Sequence, residues 1–598
     1  MEVKQIAVVA VTEAGAVTAR RIATALGGAE LHGRAGRVAD CEIAFAETAE
    51  HLRRLFRLGR PIVGVCAAGI LIRAVAPLLA DKAAEPPVLA VSPDGASVVP
   101  LLGGHHGANR LAIRIARALD GHAAVTTAGD IALGIAIDDP PDGWLVANPE
   151  AAKPVAAALL AGEPVRVEVE NGEADWLTAA GLGEDGQWGI RVTDHAVEGD
   201  DELILHPPVL ALGVGCERGT AAEELVTLAR DALAEAGLAE GAVACVASLD
   251  LKADEPAVHA LAAELKVPAR FFTPAVLEAE APRLANPSEL VFRETGCHGV
   301  AEGAALAAAG ADGALVVPKV KSARATCAIG RAGHPIDPAR IGRARGRLFV
   351  VGIGPGGDSW RTAECSRVIA EATDLVGYGL YLDLLGEAAC GKRRHDGAMG
   401  EEEARARLAL DLAAEGRDVA LVCSGDAGIY ALATLVFELL DREKRTDWNR
   451  LEVAVVPGIS ALQAAAARAG ALINHDFCTI SLSDLLTPWE IIERRVTAAA
   501  EGDFVVAFYN PVSQRRKSQL PAAMQILLRH RAATTPVVLA RNLGRPGETV
   551  EITSLAELDP GQVDMLTIVL VGNAESRAFA QAGRRWVYTP RGYASKWS

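Results

Sequence analysis

Short apolar runs alternate along the chain with segments of helical spacing. At five places an apolar run leads through a glycine-containing turn into a segment rich in Ala, Leu, Arg and Glu. These predicted strands and helices are 6–11 with 16–26, 61–66 with 70–79, 210–214 with 221–236, 348–353 with 362–372, and 419–423 with 430–440. Strands that alternate with helices indicate several α/β domains with largely parallel sheets. In such sheets ligands bind at the carboxyl ends of the strands.

Composition shifts divide the chain into domains. The turn-rich sequence Asp138-Asp139-Pro140-Pro141-Asp142-Gly143 predicts the end of a first α/β domain near residue 145. The acidic, glycine-rich stretch 172–201 predicts a small connecting module, and a new domain begins at His206-Pro207-Pro208. We therefore expect domains or modules at 1–145, 146–205 and 206–335, a linker at 336–346, and a last domain at 347–598.

The net charge excludes one class of partner. The 598 residues include 59 Lys plus Arg and 76 Asp plus Glu, which gives a net charge of −17. General binding to DNA or RNA needs a basic field, and an aromatic fraction of 4% offers few stacking platforms for single strands. Half of the residues are hydrophobic, which is enough for several buried cores, so disorder as a class is excluded.

The cysteines and the apolar runs indicate the compartment. The ten cysteines are scattered, with no Cys-x-x-Cys pair. This argues against a zinc ribbon, an iron–sulfur cluster and a disulfide scaffold, and it favours a reducing cytosol. No stretch reaches about 18 apolar residues without Pro, Gly or a charge, so we expect no membrane span. The sequence thus predicts a cytoplasmic protein without a bound metal ion.

One glycine loop imitates a dinucleotide site. Gly352-Ile353-Gly354-Pro355-Gly356-Gly357 follows a strand and precedes a helix, with the G-x-G-x-x-G spacing of nicotinamide and flavin sites. Pro355 lacks an N–H inside the supposed phosphate cradle. Asp374 comes before the next apolar run, whereas a ribose-binding carboxylate belongs at the end of that run. A nicotinamide oxidoreductase stays an alternative interpretation of this loop.

Four further strand ends in the last domain carry unusual loops. They are Cys423-Ser424-Gly425-Asp426-Ala427-Gly428-Ile429-Tyr430, Val455-Val456-Pro457-Gly458-Ile459-Ser460-Ala461, Tyr509-Asn510-Pro511, and Arg541-Asn542-Leu543-Gly544-Arg545-Pro546. Because they all fall within one domain, we expect them to build one composite pocket. Asp426 alone could also be a helix N-cap.

Together these loops resemble the tetrapyrrole methyltransferase family, which uses S-adenosylmethionine (SAM) in a two-lobed fold distinct from the Rossmann methyltransferases. The resemblance covers about 347–595 and rests on several motifs in the expected order. Tyr378-Gly379 with Tyr381, the run 509–517 and the run 541–546 are similar to the precorrin-3B C(17)-methyltransferases of cobalamin biosynthesis.

The resemblance implies SAM as the cofactor and a tetrapyrrole, precorrin-3B or cobalt-factor III, as the substrate. Methylation at C(17) is coupled to ring contraction in this subfamily, and the relatives are homodimers. Carried over by motif, the residues that line the trough or hold SAM are Pro355, Gly425, Asp426, Ile429, Tyr430, Ser460, Ala461, Tyr509, Asn510 and Leu543. A substrate with many carboxylates needs local basic groups, for which the candidates are Arg515-Arg516-Lys517 and Lys392-Arg393-Arg394-His395.

A second loop that could carry chemistry lies in the first domain. The run 103–109, Gly-Gly-His-His-Gly-Ala-Asn, precedes a helix, because Leu111, Ile115 and Leu119 follow at helical spacing. A glycine loop at a helix start offers N–H groups to an anion, and His105 suits acid–base work near neutral pH. Asp94 stands in the turn after the preceding apolar run.

Residues 1–335 resemble the cobalt-precorrin 5A hydrolases through 69–82, 94–95, 103–109, 213–220 and 248–255. That family opens a δ-lactone on the macrocycle and releases acetaldehyde. Such hydrolysis needs a base and an oxyanion donor. His105 as base, the amides of 103–107 as donors and Asp94 as an orienting or proton-sharing group would supply them.

The two resemblances together predict a fused, bifunctional enzyme of cobalamin biosynthesis. An alternative is a methyltransferase fused to a non-catalytic module that carries the corrinoid. Release of acetaldehyde distinguishes the two, because a carrier would bind the macrocycle without opening its lactone.

Overall fold

A computed structural model describes residues 6–26, 29–38, 41, 43–79, 85–126, 137–178, 182–199, 201–389, 391–398, 400–513 and 515–593; the side chains of His105 and Glu387 lie outside this description. The chain divides into two compact units. The first is Met1–Gly346 with Ala414–Gly416 and Arg450–Glu452, and the second comprises Arg347–Ala413, Arg417–Asn449 and Val453–Ser598.

The first unit opens with a seven-stranded sheet of order β3-β2-β1-β4-β5-β6-β7. Its strands are β1 (Ala7–Ala10), β2 (Glu30–Arg34), β3 (Ile43–Phe45), β4 (Ile62–Val65), β5 (Val88–Val91), β6 (Ser97–Leu102) and β7 (His122–Ala123), and its helices are α1 (Glu13–Leu26), α2 (Thr48–Arg57), α3 (Ala68–Val75) and α4 (Ala108–Leu119). The five neighbouring strands β3, β2, β1, β4 and β5 are parallel to one another, and β6 runs antiparallel to β5. Their apolar side chains form cores against the helices.

The segment expected as a small connecting module has a sheet of its own, of order β10-β9-β11-β12-β8. Its elements are β8 (Leu145–Val146), α5 (Ala152–Leu160), β9 (Val165–Val169), β10 (Leu182–Gly183), β11 (Trp188–Val192) and β12 (Glu202–His206). The strands are parallel except β8, which pairs antiparallel with β12. Helix α5 packs on the sheet in a small apolar core.

A third sheet of the first unit has the order β15-β14-β13-β17-β16. Its strands are β13 (Leu210–Cys216), β14 (Val243–Leu249), β15 (Ala269–Phe272), β16 (Ala314–Lys321) and β17 (Ala325–Arg331), and its helices are α6 (Ala222–Glu235), α7 (Pro256–Glu264), α8 (Pro274–Ala279), α9 (Glu289–Thr295) and α10 (Val300–Ala309). Gly213 lets α10 pack closely on β13, because a Cβ there would lie 1.9 Å from the carbonyl oxygen of Ala301.

The second unit has two lobes. The sheet of the first lobe has the order β20-β19-β21-β18-β22. Its strands are β18 (Arg347–Gly352), β19 (Asp374–Tyr378), β20 (Arg393–Gly397), β21 (Asp418–Cys423) and β22 (Glu452–Val456), and its helices are α11 (Ala363–Glu371), α12 (Gly379–Asp383), α13 (Glu402–Ala414) and α14 (Ala433–Glu443). Strands β18, β19, β20 and β21 are parallel.

The second lobe contains a five-stranded sheet of order β24-β25-β28-β26-β27 and a three-stranded sheet of order β23-β30-β29. The strands are β23 (Gly470–Ala471), β24 (Phe477–Ser481), β25 (Val505–Tyr509), β26 (Pro536–Arg541), β27 (Thr549–Ser554), β28 (Thr567–Val571), β29 (Arg577–Gln581) and β30 (Arg584–Tyr588), and the helices are α15 (Ala461–Ala469), α16 (Trp489–Glu501) and α17 (Gln519–Leu528). Strand β28 lies antiparallel between β25 and β26.

The predicted fold class, several α/β domains with largely parallel sheets, is confirmed. Two helix starts lie three residues from their expected positions: α1 begins at Glu13 rather than near Ala16, and α14 begins at Ala433 rather than near Tyr430. Tyr430 has φ +52°, the left-handed region, so it belongs to the loop before the helix. None of the described helices is both long and apolar enough to cross a membrane.

Candidate functional site

A cavity of about 210 Å³ lies in the second unit, at the loops that follow its strands. All ten residues expected to line the trough or hold SAM line this cavity: Pro355, Gly425, Asp426, Ile429, Tyr430, Ser460, Ala461, Tyr509, Asn510 and Leu543. These residues come from loops after β18, β21, β22, β25 and β26. The loops that were expected to build one pocket therefore meet at a single cavity, which residues of both lobes line.

Glycines hold the loops of the first lobe against each other. The Gly354 amide donates to the Gly425 carbonyl (3.1 Å), and the Gly425 amide donates to the Gly354 carbonyl (2.8 Å). A Cβ at Gly458 would lie 2.1 Å from the Gly425 oxygen and 2.5 Å from the Gly352 oxygen. A side chain at Gly458 would thus force apart the loops after β18, β21 and β22.

Asp426 joins two of these loops. Its Oδ1 accepts a hydrogen bond from the Gly428 amide (2.8 Å), and its Oδ2 accepts one from the Gly458 amide (3.1 Å). The N-cap position of α14 is Leu432, so Asp426 is not the cap of that helix. Its carboxylate instead fixes the loop after β22 relative to the loop after β21.

Tyr509 connects β25 to the start of α15. Ser460 is the N-cap of α15 and forms a capping box with Gln463. The Leu462 amide donates to the Tyr509 hydroxyl (3.1 Å), and burial raises the pKa of that hydroxyl. Tyr509 is therefore a neutral phenol at physiological pH that is bound to a helix N-terminus.

Tyr430 reaches from the first lobe to the second. Its hydroxyl donates to the Thr479 carbonyl in β24 (3.0 Å). Its ring lies 5.2 Å from the Tyr509 ring, at an interplanar angle of 53°. The two tyrosines thus form a contact between the lobes at the wall of the cavity.

Backbone strain is concentrated around the cavity. Tyr430, Asn510 and Asn542 line the cavity and have φ of 52°, 49° and 51°, in the left-handed region that favours glycine. Such conformations cost about 1–3 kcal/mol each and cluster at functional sites. Asn510 is held in part by its side chain, which donates to Ser481 Oγ (3.1 Å).

Nine further residues line the cavity that were not among the ten predicted to line the trough or hold SAM: Tyr381, Ser424, Ala540, Asn542, Arg545, Met565, Leu566, Thr567 and Ile568. Ser424, Asn542 and Arg545 stand in loops that were expected to build the pocket. The last four of the nine stand at the start of β28. They reach the cavity because β28 runs antiparallel to β25 and β26, so its amino end lies beside their carboxyl ends. A search limited to the carboxyl ends of strands could not find them.

The glycine loop 352–357 does not carry the features of a dinucleotide site. Asp374 is fully buried at the start of β19 and binds His395 Nε2 (2.9 Å) and Arg417 (3.1 Å). Gly356 serves close packing, since a Cβ there would lie 2.1 Å from the Gly544 carbonyl oxygen. The acid needed for a ribose is therefore engaged inside the lobe, and the nicotinamide interpretation loses its support.

The side chains of one basic cluster, residues 392–395, bind groups of their own lobe. Lys392 donates to the carbonyls of Ala370 (2.9 Å) and Ala372 (2.7 Å). Arg394 pairs with Asp383 and Asp396, both at 2.7 Å. Residues 392–395 stand at the start of β20, at the edge opposite the carboxyl ends of these parallel strands, so the expectation that they bind the substrate is not supported.

The other basic cluster lies beside the cavity loops. Arg516 donates to Ser483 Oγ (3.2 Å) and to the Asn510 carbonyl (3.0 Å). It thereby joins the loop after β25 to the loop after β24. Its neighbours Arg515 and Lys517 are exposed.

Asp94 of the first domain binds only within its own turn. Its Oδ1 accepts from Ser92 Oγ (2.5 Å) and from the Ala96 amide (3.0 Å). The Ser92 hydrogen bond, followed by the Ala96 one, lowers the pKa of this exposed carboxyl. Asp94 is thus a stable carboxylate between β5 and β6.

The glycine loop of the first domain forms a 3-10 turn, Gly104–His106, directly before α4. His105 belongs to this turn, and its side chain lies outside the described residues. The His106 and Ala108 amides donate to the Gly103 carbonyl (2.9 and 3.1 Å). Asp139 packs near the loop, 3.7 Å from Arg110, and burial raises the pKa of its carboxyl. Asp139 was not predicted from the sequence as a site residue, because it lies in the turn-rich run taken as the end of the domain.

Across the residues that the structure describes, no group of three or more His, Cys, Asp or Glu side chains could hold a metal ion.

Three family models match the chain. They are described as "Cobalamin synthesis G N-terminal" at residues 50–130, "Cobalamin synthesis G C-terminus" at 210–330, and "Tetrapyrrole (Corrin/Porphyrin) Methylases" at 347–559. Their order along the chain is the order that the two sequence resemblances predicted.

Several curated relatives and one solved structure match about 250 residues each. "Cobalamin biosynthesis protein CobIJ" of Mycobacterium bovis is 44% identical over 252 residues, 42% of this chain and 48% of the relative. The precorrin-3B C(17)-methyltransferase of Sinorhizobium sp is 42% identical over 250 residues, 42% of this chain and 98% of the relative. The crystal structure of the methyltransferase CobJ is 42% identical with a TM-score of 0.39, and it covers 41% of this chain and 100% of that chain. The chain spans about half the length of the first curated relatives that it matches.

Proposed function

The chain belongs to the tetrapyrrole (corrin/porphyrin) methylase family through residues 347–559, and on that premise we propose that it is a bifunctional enzyme of cobalamin biosynthesis. Its second unit transfers a methyl group from SAM to C(17) of precorrin-3B or cobalt-factor III, coupled to ring contraction. Its residues 1–335 open the δ-lactone of cobalt-precorrin 5A and release acetaldehyde.

One observation carries the methyltransferase proposal: loops after five strands of two lobes meet at one cavity. The lining fits SAM in its chemistry. Tyr430 and Tyr509 offer aromatic surface for an adenine, Asp426 fixes two of the loops that would surround the cofactor, and the glycine loops allow close approach of backbone groups.

SAM supplies the methyl group when it is bound. The transfer is an in-line displacement, so the protein contributes alignment and exclusion of water rather than a base. The hydrogen bonds between Gly354 and Gly425 and those of Asp426 fix the loops that would hold the donor. The Tyr430 contact with Thr479 would set the distance between the lobes.

For the hydrolase half we propose His105 as the base that activates water, and amides of the loop 103–107 as oxyanion donors. The Gly104–His106 turn at the start of α4 supports the second assignment for the amides of Gly103, Gly104 and His105, because amides at a helix start face an anion, whereas the His106 amide already donates to the Gly103 carbonyl. Asp94 is proposed as an orienting group that acts through its turn. The domain limits at 145, 205, 335 and 346 and the homodimer also stay proposals.

One experiment tests both activities. The full chain is incubated anaerobically with SAM and either precorrin-3B or cobalt-factor III, and the product is analysed by mass spectrometry for the gain of one methyl group. Cobalt-precorrin 5A is supplied separately, and acetaldehyde is measured. Methyl transfer without acetaldehyde would favour the carrier module. His105→Ala should abolish acetaldehyde release while SAM binding stays normal, and an unchanged rate would remove His105 from the mechanism.

A further inference from the structure

Arg545 is a cationic side chain in the wall of the cavity. It stands in the loop after β26 in the second lobe, and its guanidinium extends to the first lobe. Nε donates to the Pro355 carbonyl (2.7 Å), and Nη2 donates to Ser424 Oγ (2.9 Å). These two bonds fix the plane of the guanidinium against the loops after β18 and β21.

The acidic groups around Arg545 are engaged elsewhere. Glu548, three residues further along the chain, pairs with Arg468 (2.7 Å) and accepts from the Gly544 amide (2.7 Å). Both oxygens of Asp426 accept backbone amides. Among the described residues, no carboxylate lies within ion-pair distance of Arg545, and Tyr381, which also lines the cavity, is a neutral phenol because burial raises its pKa.

The guanidinium is half-buried without a counter-charge. Burial lowers the pKa of Arg545, which reflects the free energy needed to keep a cation out of water. A buried charge is stable when a partner of opposite charge compensates it. Arg also has five N–H donors in a fixed fork that matches a carboxylate. Among the described residues, the hydrogen bonds of Arg545 involve Nε and Nη2 and leave Nη1 to face a ligand.

We propose that Arg545 is a carboxylate-binding subsite of this cavity. The inference rests on the proposed function, because both proposed ligands carry carboxylates: SAM has one on its methionine part, and the tetrapyrrole has several on its side chains. The fork of Arg545, held by Pro355 and Ser424, would bind one of them and complete the charge balance of the cavity wall.

Arg545→Gln tests the subsite, since glutamine keeps hydrogen-bonding groups and removes the charge. Arg545→Lys keeps the charge and removes the fork. Arg541→Gln is the matched control. Arg541 is the last residue of β26, the strand that leads into the loop of Arg545; it pairs with Asp564 (2.7 Å) and does not line the cavity. Thermal unfolding of each full-length variant verifies that it is folded.

Three quantities are measured: the Kd of SAM, the Kd of decarboxylated SAM, and the KM of cobalt-factor III. We expect Arg545→Gln to weaken one ligand about 10- to 100-fold, the loss typical of a charged hydrogen bond, with Arg545→Lys between. Weaker SAM with unchanged decarboxylated SAM assigns the subsite to the cofactor. A raised KM with unchanged SAM affinity assigns it to the tetrapyrrole.

Two results would overturn the proposal. An equal loss for SAM and decarboxylated SAM would show that Arg545 only holds the loops together, and unchanged values for all three would show no ligand contact. If the wild type and Arg541→Gln bind no SAM, the proposed function itself fails, which is a different outcome from a defect limited to Arg545→Gln.

Discussion

The cavity loops and the first α/β domain use the hydrogen bonds of polar side chains differently. In the second unit such bonds join the loops of the candidate site: Asp426, which is partly exposed, binds the amides of two loops. In the first domain the buried polar network lies on β2 and α2, where His32 Nδ1 is 2.8 Å from His51 Nε2. Asp94, one of the two candidate residues there, is exposed, and its hydrogen-bond partners among the described residues lie in its own turn.

The difference indicates where each region is pre-organised. A site held by bonds between loops keeps its geometry before a ligand arrives, and such order is what a displacement reaction needs. In the first domain the ordered polar groups stabilise the fold instead. We therefore expect substitutions in the second unit to weaken ligand binding. In the first domain we expect substitutions to change stability or to have little effect.

The largest effect is expected from Gly425→Val. Gly425 has φ +70°, and a Cβ there would lie 3.9 Å from the Ala461 amide at the cavity wall. A β-branched residue is strongly disfavoured in this region of φ, so the Gly354–Gly425 hydrogen bonds should break. We expect SAM affinity to fall by about 100-fold or more, from a strain of roughly 3 kcal/mol, as measured by calorimetry.

Gly400→Val is the control for this change. Gly400 has φ +88° in the same lobe, and a Cβ there would meet nothing within 4 Å. The Gly400→Val variant should lose stability through the same backbone strain, and it should bind SAM with the affinity of the wild type. Normal SAM affinity in Gly425→Val would mean that the cofactor pocket has been misplaced.

A pH effect on stability is expected in the first domain. His51 stacks on Phe45 with ring centroids 4.4 Å apart. Burial, with further contributions from His32, Arg54 and Arg60, lowers its pKa from 6.5 to about 3. Because the folded pKa lies below the unfolded one, the unfolded state takes up the proton first, and stability present above pH 6.5 is lost as the pH falls.

Between pH 7 and pH 5 this loss amounts to about 2 kcal/mol for His51. Burial also lowers the pKa of His32, which changes stability in the same direction, whereas the lowered pKa of Glu30 acts only at more acidic pH. Hydrogen exchange of the β1 and β2 amides measures the change locally. His51→Gln should reduce this pH-dependent change, and the exposed His122→Gln should not. Equal pH dependence of exchange in the wild type and both variants would contradict a role for the His32–His51 network.

A smaller effect is expected from Asp426→Asn. Asparagine keeps one acceptor oxygen, but its NH2 group faces the amide of Gly428 or Gly458. One charged hydrogen bond is therefore lost, and such a bond contributes about 1.5–3 kcal/mol. SAM affinity should fall about tenfold. Asp559→Asn is the matched control, because Asp559 Oδ1 likewise accepts the amide two residues on, Gly561 (2.8 Å), outside the cavity. Equal affinities in the two variants would remove Asp426 from the site.

Much of this site was predictable from sequence. The fold class and the meeting of several loops at one pocket follow from strand–glycine–helix patterns, because each pattern is local and parallel strands end at one edge. The order of the two families and the ten cavity residues follow from the motif resemblances. Those expectations of fold and family order are confirmed. The roles of the ten cavity residues stay predictions.

The rest depends on contacts between distant segments. Thr567 reaches the cavity only because β28 is antiparallel, and no periodicity distinguishes this from a parallel strand. Arg545 reads as a surface charge until its bond to Pro355, 190 residues away, is known. The left-handed φ of Tyr430 was likewise hidden, since tyrosine rarely adopts it.

The smallest effect is expected from Asp94→Asn, and it separates two roles for this residue. A single oxygen, Oδ1, accepts both turn hydrogen bonds, so asparagine can keep them. If Asp94 acts through its turn, acetaldehyde release should fall by no more than about threefold, because both turn hydrogen bonds are kept and only the charge of their acceptor is lost. Asp94→Ala, which removes both bonds, should then be slower than Asp94→Asn. Equal and severe losses in both variants would instead require the charge itself, and Asp94 would have to exchange protons with the loop that contains His105.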